Sequence, residues 1–583
     1  MSNLKEYIIT LNKFEDLDEF YVDMETLRST MYGVMPERAV DCFFRRPSSR
    51  NTHYRLTNDE AEKLKTDPRI LAIELSPEEL GLEITPSWVQ TSAYWDKSST
   101  NTVNAHRNWG LYRCATLTSQ LANWGFDGTT LSASGTVNVT ASGKNVDVVI
   151  IDGHMDPAHP EYAVNTDGTG GSRVNQYNWL QHNPAVTGGP VSTYVYPPYV
   201  DPNYTDSIGN PSAARTSDNN HGAHVAGTSC GNTQGWARDA NIYNISPYST
   251  NPNYSSVFGG AYGTNAALTV FDFVKQFHLN KSINRAIGRT NPTICTNSWG
   301  YTVKVYIKDI LSMYLQGVVS NGPFTDAQIF TANLVPLGPD ATGNKYVQFP
   351  YRISSIAADI ADCIAAGIIC VGAAGNNYVR GAKDSSDSRW ADYIYATVGS
   401  TNYNFFFGRG SSPGADMLCV GATNAGKTES KANFSNTGPQ VDIFAPGSYI
   451  MSSVNDTSGS PLGTYDSRNA SYYITKYSGT SMATPQVTGV LACLLETYPN
   501  MDQTRALAYL LKYAFSSQLT DSANWPNDFY DLQGAPNKLL RYRLERPSSG
   551  VSYPKVNTNA RPTTGHVFPR TRIYRYGPEQ GLV

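Results

Sequence analysis

Apolar runs of two different periods alternate along residues 106–545, and this alternation constrains the fold more than any other feature of the chain. Short β-branched runs recur at 146–151, 241–245, 293–298 and 367–372. Helical patterns separate them, as over 353–366. Such alternation is typical of a parallel sheet covered by helices on both faces. We therefore predict an α/β fold in which a mostly parallel sheet is sandwiched by helices.

A smaller unit precedes this region. Residues 1–77 read as strand, helix, strand, helix and strand, with apolar strand patterns at 7–11 and 69–75. Thr57 and Glu60 have the spacing of a capping box, which opens a short helix. We predict a small α+β domain here, and a polar linker rich in Ser and Thr over 78–105.

Stretches rich in Gly, Pro, Asn and Tyr interrupt the alternation at 164–219, 319–350 and 378–414. We interpret them as surface insertions, although structureless loops of this length are uncommon. The tail over 546–583 is basic and Pro-rich, and it carries a short repeat. Such a segment cannot build its own core, so it is either an arm that docks on a partner or on the main domain, or a disordered tail.

Composition excludes several classes of protein. The formal net charge is −4 over 583 residues, which is not the basic excess of a nucleic-acid binder. No run of 18 apolar residues exists, so we expect no membrane partner. The N-terminus lacks a basic start followed by an apolar core, so we expect a cytoplasmic or particle-associated protein rather than a conventionally secreted one. Eight scattered cysteines without CxxC spacing predict buried free thiols.

Ser481 stands at the start of an apolar helical pattern. One face of that helix is formed by Val487, Val490, Leu491, Leu494 and Leu495. Pro485 lies near its start, where a missing N–H is expected to cost little. Free N–H groups and the positive end of the helix dipole beside a serine suit a nucleophile that stabilises an oxyanion. A plain helix N-cap is the alternative.

Three further polar residues lie at predicted element boundaries. Asp152 ends one strand, Asn376 follows another, and His221 begins a helix of small and apolar residues. Ligands of open parallel sheets bind beyond the carboxyl ends of the strands. An acid, an imidazole, an amide and a serine are what acyl transfer requires.

Other interpretations of single residues stay open. His221 and His224 have the spacing of a metal pair but lack a clear third ligand, so we predict a structural role for His224. Cys230 is an inert buried thiol or a thiol near the active site. A solvated turn, with calcium binding as an alternative, is predicted for Asp156, His159 and Glu161.

The chain resembles the subtilisin-like serine protease (subtilase) family. Three stretches carry the match in the family's order of Asp, His and Ser: VVIID ending at Asp152, HGAHVAGT beginning at His221, and GTSMATP around Ser481. A fourth, AAGN ending at Asn376, is similar to the family's oxyanion-hole strand end.

The resemblance implies a role for each of these residues. Ser481 would be the nucleophile, His221 the general base and then acid, and Asp152 the orienting carboxylate. Asn376 would donate its side-chain amide to the oxyanion beside the backbone N–H of Ser481. An extended substrate would pair between two segments, formed by Ser298, Trp299 and Gly300 and by Ala373, Ala374 and Gly375. We predict the Trp299 ring as a wall of this groove, with a core tryptophan as the alternative.

The resemblance also implies a serine endopeptidase made as a zymogen. Residues 1–77 resemble the family's ferredoxin-like pro-domain, which stays bound in cis, assists folding and inhibits the enzyme until it is cut off. Self-cleavage would then fall between about 76 and 105. The chemistry needs no cofactor, and a structural calcium ion is an open expectation.

Two features depart from the family. The acid is usually followed by Ser-Gly or Thr-Gly, whereas this chain has Asp152-Gly153-His154. The insertion at 378–414 lies where the family builds part of its primary specificity pocket, so substrate preference cannot be taken from the family. The first departure, the absent signal and the basic tail keep a second function open: a weak or inactive protease-fold scaffold, such as a phage-particle component.

Overall fold

The structure is a computed structural model, and it describes most of the chain between Leu4 and Leu544. The described residues are 4–26, 33–38, 40, 42–46, 48–86, 108–115, 139, 141–153, 155–165, 167–175, 177, 179, 183, 186, 220–247, 266–282, 290–410, 414, 416–425, 429–455, 463–522 and 529–544. The predicted C-terminal arm and most of the 164–219 insertion lie outside them.

Within these ranges the chain forms nine α-helices: α1 (Leu17–Glu25), α2 (Asn58–Leu64), α3 (Trp109–Ala115), α4 (Asn220–Cys230), α5 (Val270–Asn280), α6 (Asp326–Thr331), α7 (Ser354–Ala365), α8 (Thr480–Thr497) and α9 (Gln503–Tyr513). Short 3-10 helices lie at Phe14–Asp16, Pro160–Tyr162, Ala266–Leu268 and Ile307–Asp309. None of the helices in the described part of the chain is long and apolar enough to cross a lipid bilayer.

The same ranges contain 22 strands: β1 (Lys5–Leu11), β2 (Cys42–Arg45), β3 (Asn51–Leu56), β4 (Ile70–Leu75), β5 (Glu83–Pro86), β6 (Asp147–Ile151), β7 (Asn241–Ile245), β8 (Thr293–Asn297), β9 (Trp299–Tyr306), β10 (Ile310–Leu315), β11 (Val318–Asn321), β12 (Tyr346–Tyr351), β13 (Ile369–Ala373), β14 (Tyr393–Val398), β15 (Thr401–Phe405), β16 (Leu418–Thr423), β17 (Ile443–Pro446), β18 (Ile450–Val454), β19 (Gly463–Asp466), β20 (Asn469–Tyr477), β21 (Phe515–Ser516) and β22 (Lys538–Leu539).

The N-terminal unit is an antiparallel sheet in the order β2-β3-β1-β4. Its core joins the sheet to α1 and α2 through buried residues such as Ile9, Phe20 and Leu64. The predicted capping box is confirmed, because Thr57 and Glu60 each accept the backbone N–H of the other. Two strands, β2 and β3, lie between α1 and α2, where the sequence predicts one.

The central sheet has eight strands in the order β21-β22-β17-β16-β13-β8-β6-β7. Every neighbouring pair is parallel except β21 and β22. Successive side chains of a strand point to opposite faces. In β6, Val148 and Ile150 therefore pack in the core shared with α4 and α8, whereas Val149 and Ile151 pack in the core shared with α5 and α7. The predicted α/β sandwich is confirmed.

Two of the predicted insertions are folded rather than loop-like. Strands β10, β11, β14 and β15 form an antiparallel sheet, and β12 pairs with β9. These strands share a core of their own that includes Val305, Phe324, Phe349 and Phe405. Aromatic and β-branched residues alternate along β14 and β15, and that alternation builds strands despite the surrounding Gly and Asn.

The predicted linker contains a strand. β5 runs antiparallel to β9 in the register Glu83 with Thr302 and Pro86 with Trp299. Since β12 pairs with the other edge, β9 is the middle strand of a three-stranded sheet. Residues 87–107, which follow β5, lie outside the described residues.

The N-terminal unit packs on α5 and α7 through buried charges. Arg46 donates to Asp272 of α5 at 2.8 Å and to Asp359 of α7 at 2.7 Å, and all three side chains are at most 2% exposed. Glu74 accepts the first two N–H groups of α7. Phe44 lies in the same apolar cluster as α5 and α7. The unit thus adds Ile8 and Phe44 to the core on this face of the central sheet.

All eight cysteines are free thiols, and all but Cys42 are buried. Cys230 is the last residue of α4 and is fully buried, so it agrees with the inert alternative. Burial raises the pKa of the Cys230 thiol to about 11, which keeps it protonated at neutral pH.

Candidate active site

Two neighbouring strands of the central sheet deliver Asp152 and Ser298 to the same edge. Ile151 of β6 pairs in parallel with Asn297 of β8, so the residue after each strand leaves the sheet at the same level. Both Asp152 and Ser298 are completely buried. This is the carboxyl edge, where the sequence predicts the site.

His221 bonds to Asp152 in the first turn of α4. His221 Nδ1 lies 2.7 Å from Asp152 Oδ1, which also accepts the N–H of Gly153 at 2.7 Å. An ionised carboxylate only accepts, so Nδ1 carries the proton and Nε2 of the neutral ring is an acceptor. A Cβ on Gly222 would lie 2.0 Å from the Gly153 oxygen, so this approach of α4 requires glycine.

Ser481 and Ser298 exchange two hydrogen bonds. Ser481 Oγ donates to the Ser298 carbonyl at 2.8 Å, and Ser298 Oγ donates to the Ser481 carbonyl at 3.1 Å. The nucleophile candidate is therefore fixed to the strand end next to the one that carries Asp152.

Pro485 lies beyond the first turn of α8, contrary to the prediction. The helix begins at Thr480, so a residue with an N–H at position 485 would bond the Ser481 carbonyl. Ser298 Oγ takes that place. The missing hydrogen bond of the helix is thus replaced by a bond to the strand.

Asn376 is anchored by its carbonyl end. Its Oδ1 accepts both the backbone N–H and the hydroxyl of Thr480 at 3.0 Å, one residue before Ser481. The Thr480 hydroxyl in turn accepts the N–H of Gly375 at 3.1 Å. Asn376 Nδ2 is buried and has no hydrogen-bond partner among the described residues. A buried donor held next to a serine and left unused fits the role of an oxyanion donor.

Asn436, which the sequence reasoning missed, holds the loop that carries Asn376. Its Nδ2 donates to the Ala374 carbonyl at 2.8 Å, and its Oδ1 accepts the N–H groups of Asn377 and Val379 at 2.9 Å. Its backbone N–H donates to Gly375, whose φ of 95° favours glycine. No local pattern marks Asn436, because its partners lie far away in the sequence.

The predicted substrate segments lie at the ends of their strands. Ala373 ends β13, and Ala374 continues the pairing by donating to the Val420 carbonyl at 2.9 Å. A Cβ on Gly300 would meet nothing within 4 Å, so space is open there. The Trp299 ring is fully buried in a cluster with Phe271, which agrees with the alternative of a core tryptophan.

His224 has the structural role that was predicted. Its Nε2 lies 2.8 Å from the Ile450 carbonyl, and its ring stacks on Tyr477 with centroids 4.7 Å apart. Burial lowers the pKa of His224 to about 3, so the ring stays neutral. It packs α4 against the β18–β20 sheet and takes no part in proton transfer.

The turn at Asp156, His159 and Glu161 is buried, so the prediction of a solvated turn is wrong. The hairpin of β19 and β20 covers it, and Glu161 forms an ion pair with Arg468 from that hairpin. Among the residues that the structure describes, no group of three or more His, Cys, Asp and Glu side chains is arranged to hold a metal ion. His154, the second departure at the acid, lies outside the described residues.

Comparison with known proteins gives matches over much of the chain. The family model described as the subtilase family matches residues 143–538. Alkaline protease 1 of Aspergillus flavus is 30% identical over 169 residues, which are 29% of this chain and 36% of that protein. The extracellular serine proteinase of a Thermus species is 36% identical over 123 residues, which are 21% of this chain and 24% of that protein. The matches thus span about a third or less of these relatives.

Solved structures also match. A cold-adapted subtilisin-like serine proteinase has a TM-score of 0.40 at 20% identity, over 76% of this chain and 100% of that one. Fervidolysin from Fervidobacterium pennivorans, a keratinolytic enzyme related to subtilisin, has a TM-score of 0.47 at 17% identity, over 93% of this chain and 60% of that one.

Proposed function

The chain belongs to the subtilase family, and from that premise we propose that it is a serine endopeptidase acting through an acyl-enzyme. The observation that carries the proposal is the 2.7 Å hydrogen bond between His221 and Asp152. Asp152 follows β6, and Ser298, which accepts a hydrogen bond from Ser481, follows the neighbouring strand β8. The protein or peptide substrate would lie along β9 and the end of β13.

The proposed mechanism uses each group at a stated atom. His221 Nε2 accepts the Ser481 proton as Oγ bonds to the carbonyl carbon of the substrate. Asn376 Nδ2 and the backbone N–H of Ser481 stabilise the oxyanion. His221 then donates the proton to the leaving amine, and the C–N bond breaks. Water repeats the sequence and releases the acid, while Asp152 keeps the imidazole in its tautomer.

We further propose that the chain is made as a zymogen that processes itself. β5 pairs with β9, the strand expected to bind substrate backbone, so the chain's own strand covers that edge. The N-terminal unit acts as the inhibitory pro-domain. It packs on α5 and α7 and so keeps β5 paired with β9. Processing would then fall after Pro86, within 87–107.

A fluorophosphonate probe tests the nucleophile. We expect it to label the wild-type chain once β5 has left the cleft, and not to label Ser481→Ala, because the probe bonds only to an activated serine oxygen. Ser298→Ala is the matched control: it removes the neighbouring hydroxyl but keeps Oγ of Ser481, and labelling should persist. Mass spectrometry of the same samples locates the cut.

A catalytically weak scaffold is the second candidate, and one observation favours it. Asp152 Oδ2 is buried without a hydrogen-bond partner among the described residues, and Gly153 offers no hydroxyl beside it. An orienting carboxylate with an unpaired oxygen holds the imidazole less firmly. Wild-type protein that stays unlabelled even after removal of residues 1–86 would establish the scaffold and refute the protease.

A further inference from the structure

Two arginines face one tryptophan in the fold built by the insertions. The guanidinium carbon of Arg352 lies 5.4 Å from the ring centre of Trp390, and that of Arg409 lies 5.7 Å from it. Arg409 also stacks on Phe406 at 3.9 Å. Stacking involves the faces of a guanidinium, so its in-plane N–H groups can still donate hydrogen bonds.

Three of those donors have no acceptor among the described residues. Nε and Nη1 of Arg352 and Nε of Arg409 are buried without a hydrogen-bond partner. Glu74 and Asp416 are close enough to act on these charges, yet neither forms an ion pair with them. Arginine stays charged, so two half-buried cations face Trp390, and neither forms an ion pair among the described residues.

This arrangement is costly as it stands. Burial and the neighbouring cation lower the pKa of Arg352 to about 10, and burial likewise lowers the pKa of Arg409. A buried unpaired charge destabilises a fold, whereas a bound anion offsets that cost. Arg46, by contrast, donates to the carboxylates of Asp272 and Asp359. An incoming carboxylate would complete the Arg352–Arg409 pair in the same way.

Arg352 follows β12, which pairs with the edge of β9 opposite to the one that β5 occupies. Tyr351 of β12 pairs with Tyr301 of β9, so Arg352, the next residue, leaves the sheet beside Gly300. Arg352 is also close to Cys419, which pairs with Gly372 of β13 just before Ala373. Arg409 comes from the 378–414 insertion.

We propose that Arg352 and Arg409 form a pocket for the carboxylate of an acidic substrate side chain, at the residue before the bond that is cut. This inference rests on the proposed function and names its substrate class. An Asp or Glu carboxylate would bridge the two guanidiniums over Trp390, and the fork geometry of arginine suits both of its oxygens. An apolar side chain there would leave both cations unpaired.

Two peptides that differ only by Glu or Gln before the cut bond test the pocket. We expect the wild-type protein to favour Glu in kcat/KM by about 10- to 100-fold, since a hydrogen bond to a charged group is worth that much. Arg352→Gln and Arg409→Gln should each reduce the preference by about tenfold or more. Arg389→Gln, in the same insertion but paired with Asp392, is the control and should keep it.

Binding of the same peptides to Ser481→Ala, after residues 1–86 have been removed with an added protease so that β5 no longer covers β9, separates this inference from the proposed function. Tighter binding of the Glu peptide there, without turnover by the wild-type protein, would uphold the pocket and refute the protease. Equal binding and equal kcat/KM for the two peptides would overturn the pocket. Competition by inorganic sulfate without any preference for Glu would also overturn it, because the pair would then bind free anions only.

Discussion

At the scale of single residues, the site depends on donors and acceptors that are exchanged between distant segments. Pro485 deprives the Ser481 carbonyl of its helical partner, and Ser298 supplies one from the strand end. Thr480 makes a second connection of this kind: its backbone N–H and its hydroxyl both donate to Asn376 Oδ1. Each exchange ties the start of α8 to the edge of the sheet, so Ser481 and the oxyanion donor move together.

Asn436 should act on catalysis through Asn376. We expect Asn376→Ala to lower kcat by about 10²–10³ because it removes an oxyanion donor. Asn436→Ala should also lower kcat, with less change in KM, because the loop from Ala374 to Val379 loses three hydrogen bonds that hold it.

A double-mutant cycle measured by steady-state kinetics checks this. In the Asn376→Ala background the further loss from Asn436→Ala should largely vanish, since coupled residues are not additive. Fully additive losses would show that Asn436 only stabilises the fold. Asn377→Ala, a neighbour whose backbone rather than side chain makes the bond to Asn436, serves as the control.

The sequence predicts the four proposed catalytic residues and not the residues that support them. Asp152, His221, Asn376 and Ser481 stand in local patterns at strand ends and helix starts, which can be read along the chain. Asn436 and the Arg352–Arg409 pair have no such pattern, because their roles come from partners brought near only by the fold.

At the scale of elements, α4 carries two histidines with different roles: the proposed base, and a second ring that must stay neutral inside the protein. His221 lies at its start and His224 one turn later, stacked on Tyr477 of β20. Every residue of α4 is buried. A charge on His224 would therefore have no water to solvate it, and its ring resists protonation.

His224 should make the protein less stable as the pH falls. Its pKa is about 3 in the folded protein, below the usual value near 6.5 of an unfolded chain. Between these values the unfolded state binds a proton that the folded state does not, so stability is complete above pH 6.5 and declines toward pH 4. We expect His224→Gln to reduce the slope of unfolding free energy against pH by about 1.4 kcal/mol per unit.

Urea unfolding from pH 7 to pH 4 measures the difference between the two slopes. His53, His159 and His278, whose pKa values burial also lowers, are present in both proteins, so the difference between the slopes reports on His224. Equal slopes would mean that His224 accepts its proton without unfolding.

The same scale shows where prediction from sequence fails. The strands of the central sheet are near-continuous β-branched runs and could be predicted from period alone. β10, β11, β14 and β15 could not, because Gly, Asn and Pro around them indicate turns. Their aromatic residues meet in a core formed only when segments on either side of α7 come together.

At the scale of the whole molecule, the N-terminal unit is joined to the larger body by a buried group of charges. Arg46 reaches across to Asp272 and Asp359, and Asp359 also binds Ser49 and Asn51. Burial raises the pKa of Asp359 to about 6. Arg46 thus compensates two carboxylates of the interface at once.

Removing that cation should destabilise the protein strongly. Arg46→Met leaves Asp272 and Asp359 buried side by side, and breaking a buried ion pair from one side costs about 3–5 kcal/mol. Arg45→Met is the matched control, because the adjacent arginine pairs with Glu25 at the surface and an exposed pair is worth about 1 kcal/mol or less. Urea unfolding at neutral pH measures both. Equal losses would show that Arg46 is not essential to the interface.

The position of Ser481 late in the chain has a consequence for the nascent protein on the ribosome. The strands β1 to β4 and the helices α1 and α2 share a core of their own, so this unit can fold before the rest of the chain is made. His221 and Asp152 can meet soon afterwards, but α8 still has to be translated. In the proposed protease, Ser481 therefore joins Asp152 and His221 only after most of the chain has been translated.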